Sequence, residues 1–239
     1  MRIVIAGPPK TGNMWLKCLL GRAYGLRWLR PHETPRQADL QALEDWLRTS
    51  SFPDDTIFHQ HYDYSPEIVS LLQAVPATIV TIVRDPYDAF VSTYYTMQLH
   101  AESANQKGRK LTELMGKALD DPEVVEFLRD GGYENNLRKG RDWALSGDAV
   151  LFRYEDLIAN PLQALGAASP EIGPIDPKQF EVAVEYCTAD RMRERTKGGK
   201  KHVRSATVGD SKKKLNQDHY DAFRVAYAEL IRDLGYVVR

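Results

Sequence analysis

The chain has 239 residues, 43% of them hydrophobic and 27% charged, with a formal net charge of −1. That length suits one α/β domain with a large core, and the composition is ordinary for a soluble globular protein. The near-neutral balance excludes a global bias toward nucleic acid or anionic membrane.

Arg2–Ala6 is a β-branched apolar run of strand length, the kind buried in a parallel sheet. Gly7-Pro8-Pro9 breaks it, and Lys10-Thr11-Gly12-Asn13 carries the chain into a helix whose apolar stripe is Trp15, Leu16, Leu19, Leu20 and Ala23. A tight turn between strand and helix points backbone N–H groups at a positive helix end, which makes an anion site. Lys10 adds a charge and Thr11 a hydroxyl. Gly25 is placed to stop that helix.

Further on, Gln37–Arg48 reads as a short helix among Pro31, Pro35 and Pro53, and Thr56–His61 as a strand ending in two histidines. Pro66–Gln73 is a short helix with proline at its start. Thr78–Val83 is a continuous β-rich run, expected to be central in the sheet. It ends at Arg84-Asp85-Pro86, and Pro86 opens a helix over Tyr87–Leu99. Residues 100–132 are polar, with a basic patch Lys107–Lys110 and a helical stretch around Leu111–Leu119. Tyr133–Leu145 is helical, Ala149–Arg153 a strand, and Pro177–Thr188 and His219–Leu234 amphipathic helices.

Strands alternating with helices predict a three-layer α/β sandwich around a central parallel sheet, over a single domain spanning 1–239. Arg191–Lys214 stands apart: ten basic residues against two acidic ones give it a formal charge of +8, within a chain of −1. A mobile lid that orders over a polyanion is the expectation, with a solvated charge run as the alternative. The expected compartment is the cytoplasm: Met1 runs straight into a strand with no leader pattern, and no apolar run reaches membrane-spanning length. Cys18 and Cys187 are the only cysteines; Cys18 faces inward on the first helix, which predicts a buried thiol rather than a disulfide or metal ligand.

The first loop is not that of a nucleotide-hydrolysing P-loop, where lysine directly follows the second glycine and a hydroxyl ligates magnesium. Here Lys10 precedes Gly12, and Asn13-Met14 follow it. Pro9-Lys10-Thr11-Gly12-x-x-Trp15 instead resembles the 5′-phosphosulfate loop of sulfotransferases that use 3′-phosphoadenosine 5′-phosphosulfate (PAPS), usually P-K-[ST]-G-[TS]-[TS]-W. Arg84-Asp85-Pro86-x-Asp88-x-x-x-Ser92 resembles that family's 3′-phosphate motif, with the same Arg-to-Ser spacing. Arg204-Ser205-Ala206-Thr207-Val208-Gly209-Asp210-Ser211-Lys212 looks like its R-x-G-x-x-G-D-W-K segment, with Ala206 in place of glycine and Ser211 in place of tryptophan. Tyr154-Glu155-Asp156 looks like its Y-E-D segment.

The resemblance implies a P-loop NTPase-like α/β fold, PAPS as donor with 3′,5′-ADP (PAP) as product, and no metal. It places Lys10, Thr11, Gly12, Asn13 and Met14 at the 5′-phosphate, and Arg84, Ser92, Arg204, Ser205 and Ala206 at the 3′-phosphate. Trp15 and Tyr154 would meet the adenine, core packing being the other reading of both. Phe58-His59-Gln60-His61 aligns with the family's K-T-H segment, making His61 the expected base and His59 its rival. Lys10 would stabilise the leaving phosphate oxygen. The expected reaction is sulfuryl transfer to a hydroxyl or amine of a small-molecule acceptor, with no nucleic-acid or membrane partner and a homo-oligomer left open. The alternatives are a nucleotide-dependent kinase or an inactive nucleotide-binding module. The acceptor pocket is expected from the variable segments 28–55 and 98–133. Trp28, Trp46, Tyr94, Tyr95 and Tyr133 would line it or else belong to the core.

Overall fold

The computed structural model describes residues 1–30, 33–35, 40–49, 52–99, 113–195 and 206–239. Five parallel strands form the sheet: β1 (Arg2–Ala6), β2 (Arg27–Trp28), β3 (Thr56–Gln60), β4 (Ala77–Val83) and β5 (Val150–Arg153), in the order β2-β3-β1-β4-β5. Ile3, Ile5, Val80 and Ile82 are essentially inaccessible to solvent, as the apolar runs demand. Removing each such side chain from water favours folding by about 1.5–3 kcal/mol.

The register is tight where it matters. Ile5 pairs with His59 and Ala6 with Gln60 on one side, and Ile5 with Val80 on the other. After β1 the chain runs first to the β2–β3 side and then crosses to β4. The carboxyl ends of β3, β1 and β4 therefore flank a topological switch point, where open parallel sheets bind ligands.

Helices cover both faces, giving the three layers. On one face α1 (Asn13–Ala23), α8 (Pro161–Ile172) and α9 (Pro177–Tyr186) bury Ile3, Ile5, Ile57 and Ile82. On the other, α2 (Leu40–Arg48) and α3 (Pro66–Gln73) pack with Trp143 of α6 (Glu134–Leu145) against Val4, Ala6 and Phe58. A third cluster joins α4 (Pro86–Leu99), α5 (Pro122–Arg129), α6 and α12 (Gln217–Asp233). The remaining helices are α7 (Tyr154–Ala159), α10 (Ala189–Arg195) and α11 (Ser211–Lys214).

Several expectations change. Cys18 is not a buried thiol: it is bonded to Cys187, with Cα atoms 6.0 Å apart across 169 residues of sequence. Helix α1 packs directly on α9, and Cys187 caps the end of α9, so the inward face of α1 is where a partner cysteine can arrive. Residues 113–116 form a turn rather than α-helix, while 111–112, the patch at 107–110 and the start of the helix expected from Gln37 lie outside the described residues. Helix α5, hidden in the polar stretch, is announced by Asp121, whose carboxylate accepts the Glu123 N–H, and by Pro122 in the first turn. Helix α8 has the same signature in Asn160-Pro161.

Candidate active site

Beyond Gly7, whose φ is also positive, the loop after β1 is shaped by two residues with positive φ, Lys10 at 67° and Gly12 at 109°. Glycine is required at the second: a Cβ at Gly12 would lie 2.7 Å from Cδ2 of Tyr154. Lysine in the left-handed region costs about 1 kcal/mol, and that strain turns the loop into a concave run of backbone donors at the start of α1. The side chains of Thr11 and Asn13 brace it from within. Thr11 Oγ1 donates to the Pro8 carbonyl at 3.0 Å, and Asn13 Nδ2 donates to the same oxygen at 2.7 Å. The side-chain donors of Thr11 and Asn13, which the sequence suggested for an anion, are thus engaged within the loop. Trp15 and Leu16 both donate to the Gly12 carbonyl, and the first N–H groups of a helix have no acceptor within it.

Arg84 stands at the end of β4 and is 8% exposed. Its guanidinium lies 4.3 Å from the ring centroid of Tyr154, donates to the Thr207 carbonyl at 3.0 Å and reaches the Lys10 carbonyl at 3.4 Å. Its Nε is buried without a hydrogen-bond partner among the described residues. A buried charged donor with an unmet bond is costly, and an anionic oxygen is the group that would meet it. The next carboxylates organise the segment beyond. Asp88, wholly buried on α4, accepts the Gly209 N–H at 2.6 Å and the Ser211 N–H at 2.8 Å. Asp85 caps α4 by accepting the Tyr87 and Asp88 N–H groups, and pairs with Arg239 at 2.6 Å. Burial pushes the Asp85 carboxyl up from its ordinary value, and the adjacent Arg239 opposes that shift.

His61 follows β3. Its Nδ1 lies 3.0 Å from the Gly7 carbonyl oxygen, which can only accept, so the neutral ring carries its proton on Nδ1 and its lone pair on Nε2. The backbone behind it is clamped from α6: Lys139 Nζ donates to the His61 carbonyl at 2.6 Å and pairs with Asp63 at 3.0 Å, and Trp143 Nε1 donates to the Tyr62 carbonyl at 2.9 Å. Lys139 and Trp143, one helical turn apart, were not legible as site residues; their i, i+4 spacing was the available signal. His59 lies one strand period back, its ring centroid 5.8 Å from that of His61.

These groups meet in one cavity of about 620 Å³, within the range of small-molecule sites. It is lined by Lys10, Gly12, Asn13, Met14, Trp15, His59, His61, Arg84, Ser92, Tyr154 and Ala206, so the motifs scattered along the sequence converge. Thr11 is buried in the loop behind it. Trp15 donates from Nε1 to the Cys187 carbonyl at 3.0 Å and meets Tyr154 edge-on at 5.9 Å. Arg204 and Ser205 lie outside the described residues. Of the expected acceptor aromatics, Trp46, Tyr94 and Tyr133 are core: Trp46 stacks on Phe52, and Tyr94 and Tyr133 are almost fully buried. The cavity wall also includes residues that were not foreseen, among them Lys17 and Cys187.

Among the described residues, no group of three or more His, Cys, Asp or Glu is placed to hold a metal, and no helix is long and apolar enough to cross a membrane.

The sulfotransferase domain family matches residues 1–235, and the chain belongs to that family. No curated protein matches the sequence. The fold is similar to that of mouse sulfotransferase SULT7A1 complexed with PAP, at a TM-score of 0.69 and 14% identity over 97% of this chain and 84% of that one. It is also similar to retinol dehydratase in complex with androsterone and inactive cofactor PAP, at 0.61 and 12% over 100% and 83%. The sulfotransferase domain from the curacin biosynthetic pathway resembles it at 0.51 and 12% over 100% and 98%.

Proposed function

Starting from a chain that belongs to the sulfotransferase family, we propose that it moves the sulfuryl group of PAPS to a hydroxyl of a small-molecule acceptor and releases PAP. The observation that carries this reading is that Lys10, Arg84 and His61 open onto one cavity, with the Nε of Arg84 buried and without a partner among the described residues. Family relatives in the same fold hold PAP, and one belongs to a natural-product pathway.

When bound, PAPS supplies an activated sulfuryl group. The loop N–H groups of Thr11, Gly12, Asn13 and Met14 hold the 5′-phosphate at the positive end of α1, and the Lys10 ammonium offsets charge on the oxygen left behind as sulfur departs. Arg84 and Ser92, with Arg204, Ser205 and the backbone of Ala206 assigned by motif, hold the 3′-phosphate. Trp15 and Tyr154 bound the adenine. His61 takes the acceptor proton at Nε2 while Gly7 holds Nδ1–H in place. Positioning and electrostatics then supply the catalysis, with no covalent enzyme intermediate and no metal.

The chain acts as a single domain in this proposal, with Arg191–Lys214 as the lid, of which 196–205 lie outside the described residues, and a cytoplasmic location belongs to the same reading. The Cys18–Cys187 bond weighs against that location, since disulfides are rare in the reducing cytosol. The test is transfer of labelled sulfate from PAPS to a panel of phenols and alcohols in excess chelator. Turnover supports the proposal. PAP binding without turnover on any acceptor supports an inactive binding module, and ATP turnover that requires magnesium supports a kinase.

A further inference from the structure

The cavity holds a cation that the donor site does not use. Lys17, one helical turn beyond Asn13 on α1, is 4% exposed and lines the cavity together with His59 and His61. Its ammonium makes no hydrogen bond or ion pair with the described residues; it lies 4.8 Å from the ring centroid of Trp28. Gly21 makes room for that indole, since a Cβ there would lie 2.4 Å from Trp28 Nε1. A cation over an indole is worth about 0.5–2 kcal/mol, whereas an ammonium taken out of water costs several kcal/mol. Burial accordingly pulls Lys17 down from 10.5 to about 8. The missing component is an anion.

The strand order shows which one. Arg84 follows β4, the Lys10 loop follows β1, His61 follows β3, and Trp28 sits on β2 at the sheet edge. The 3′-phosphate residues, the loop and the base therefore succeed one another across the sheet, and Lys17 of α1 rests against the edge strand next to that of the base. Lys17 shares the cavity wall with His59 and His61, and its contact with Trp28 of β2 places it on the β3 side of the sheet, across β1 from the Arg84 strand. We propose that Lys17 recognises a carboxylate or other anionic oxy-acid group on the acceptor, so that this enzyme sulfates hydroxyl compounds that already carry a negative charge. The inference rests on the sulfotransferase reading: the acceptor presents its hydroxyl to Nε2 of His61 and its anionic group to Nζ of Lys17.

The experiment pairs para-hydroxyphenylacetate and para-hydroxyphenylpropanoate with their neutral amides, and para-hydroxyphenyl phosphate with hydroquinone. Each compound is titrated calorimetrically into PAP-loaded wild type, Lys17→Met and Lys17→Arg, and kcat/KM with PAPS is measured for the same pairs. In wild type the anionic member of at least one pair is preferred by about 10- to 100-fold, the worth of a charge-assisted hydrogen bond. Lys17→Met brings that ratio close to one and Lys17→Arg retains part of it, while PAP affinity changes little. Binding of PAP with no anionic preference, or a preference that survives Lys17→Met, overturns this proposal alone. A loss of PAP affinity in Lys17→Met overturns it too, by moving Lys17 to the donor. A wild type that does not bind PAP fails the sulfotransferase reading itself.

Discussion

His61 Nδ1 sits 3.0 Å from the carbonyl oxygen of Gly7, so the backbone that begins the loop after β1 also fixes the tautomer of the proposed base. The loop and the proposed base are thus hydrogen-bonded to each other at the switch point of the sheet. His61→Gln is expected to lower kcat by about 10²- to 10⁴-fold while PAP affinity stays within about threefold of wild type. Steady-state kinetics beside a PAP titration checks it; a Kd that collapses together with kcat would show that His61 holds the loop rather than the proton.

Asp88 accepts the Gly209 and Ser211 N–H groups on one buried carboxylate. In Asp88→Asn one of those donors faces an amide NH₂ instead of an oxygen. The expected loss is about 1–3 kcal/mol of stability, with weaker PAP binding because Ala206, in the segment leading to Gly209, lines the cavity and Thr207 accepts from Arg84, the proposed 3′-phosphate ligand. Denaturant unfolding and a PAP titration read the two effects separately.

Lys17 has a stability signature of its own. Its folded value of about 8 lies below the ordinary 10.5, so between those limits the unfolded chain binds more protons. The burden of the buried ammonium is full below pH 8 and is relieved as pH rises toward 10.5. Lys17→Met is therefore expected to be more stable than wild type by up to about 3 kcal/mol at pH 7, with the difference shrinking above pH 8. Paired denaturation curves from pH 6 to about 10 check the sign; a constant difference across that range contradicts it.

The Cys18–Cys187 bond closes a loop of 169 residues. Its removal by Cys18→Ala, or by reductant in wild type, is expected to lower stability by about 3–5 kcal/mol. Thiol titration before and after reduction, beside the unfolding curves, measures the bond and its effect together.

Much of this was legible in the chain. The apolar runs of β1 and β4 gave the buried centre of the sheet, and the Lys10 loop, Arg84 and His61 converge on one cavity as the motif order implied. What escaped has physical reasons. The strand Arg27–Trp28 is only two residues long, with both side chains exposed, and carries no periodic signal. The pairing of Cys18 with Cys187, like the clamp of Lys139 on the His61 carbonyl, depends on how helices pack across long sequence separations. Thr11 and Asn13 read as phosphate donors because hydroxyl and amide types suit that role, but their side chains are spent on the Pro8 carbonyl. Lys17 reads in sequence as one polar position on a helix; only its burial beside His59 and Trp28 sets it apart.

The most direct measurement is a calorimetric titration of PAP, in chelator, into wild type, Lys10→Ala and Arg84→Ala. The account predicts binding without metal, weakened in Arg84→Ala by about 1.5–3 kcal/mol, the worth of a charged hydrogen bond, and weakened also in Lys10→Ala. No heat with PAP, together with binding of ATP in the presence of magnesium, would contradict it.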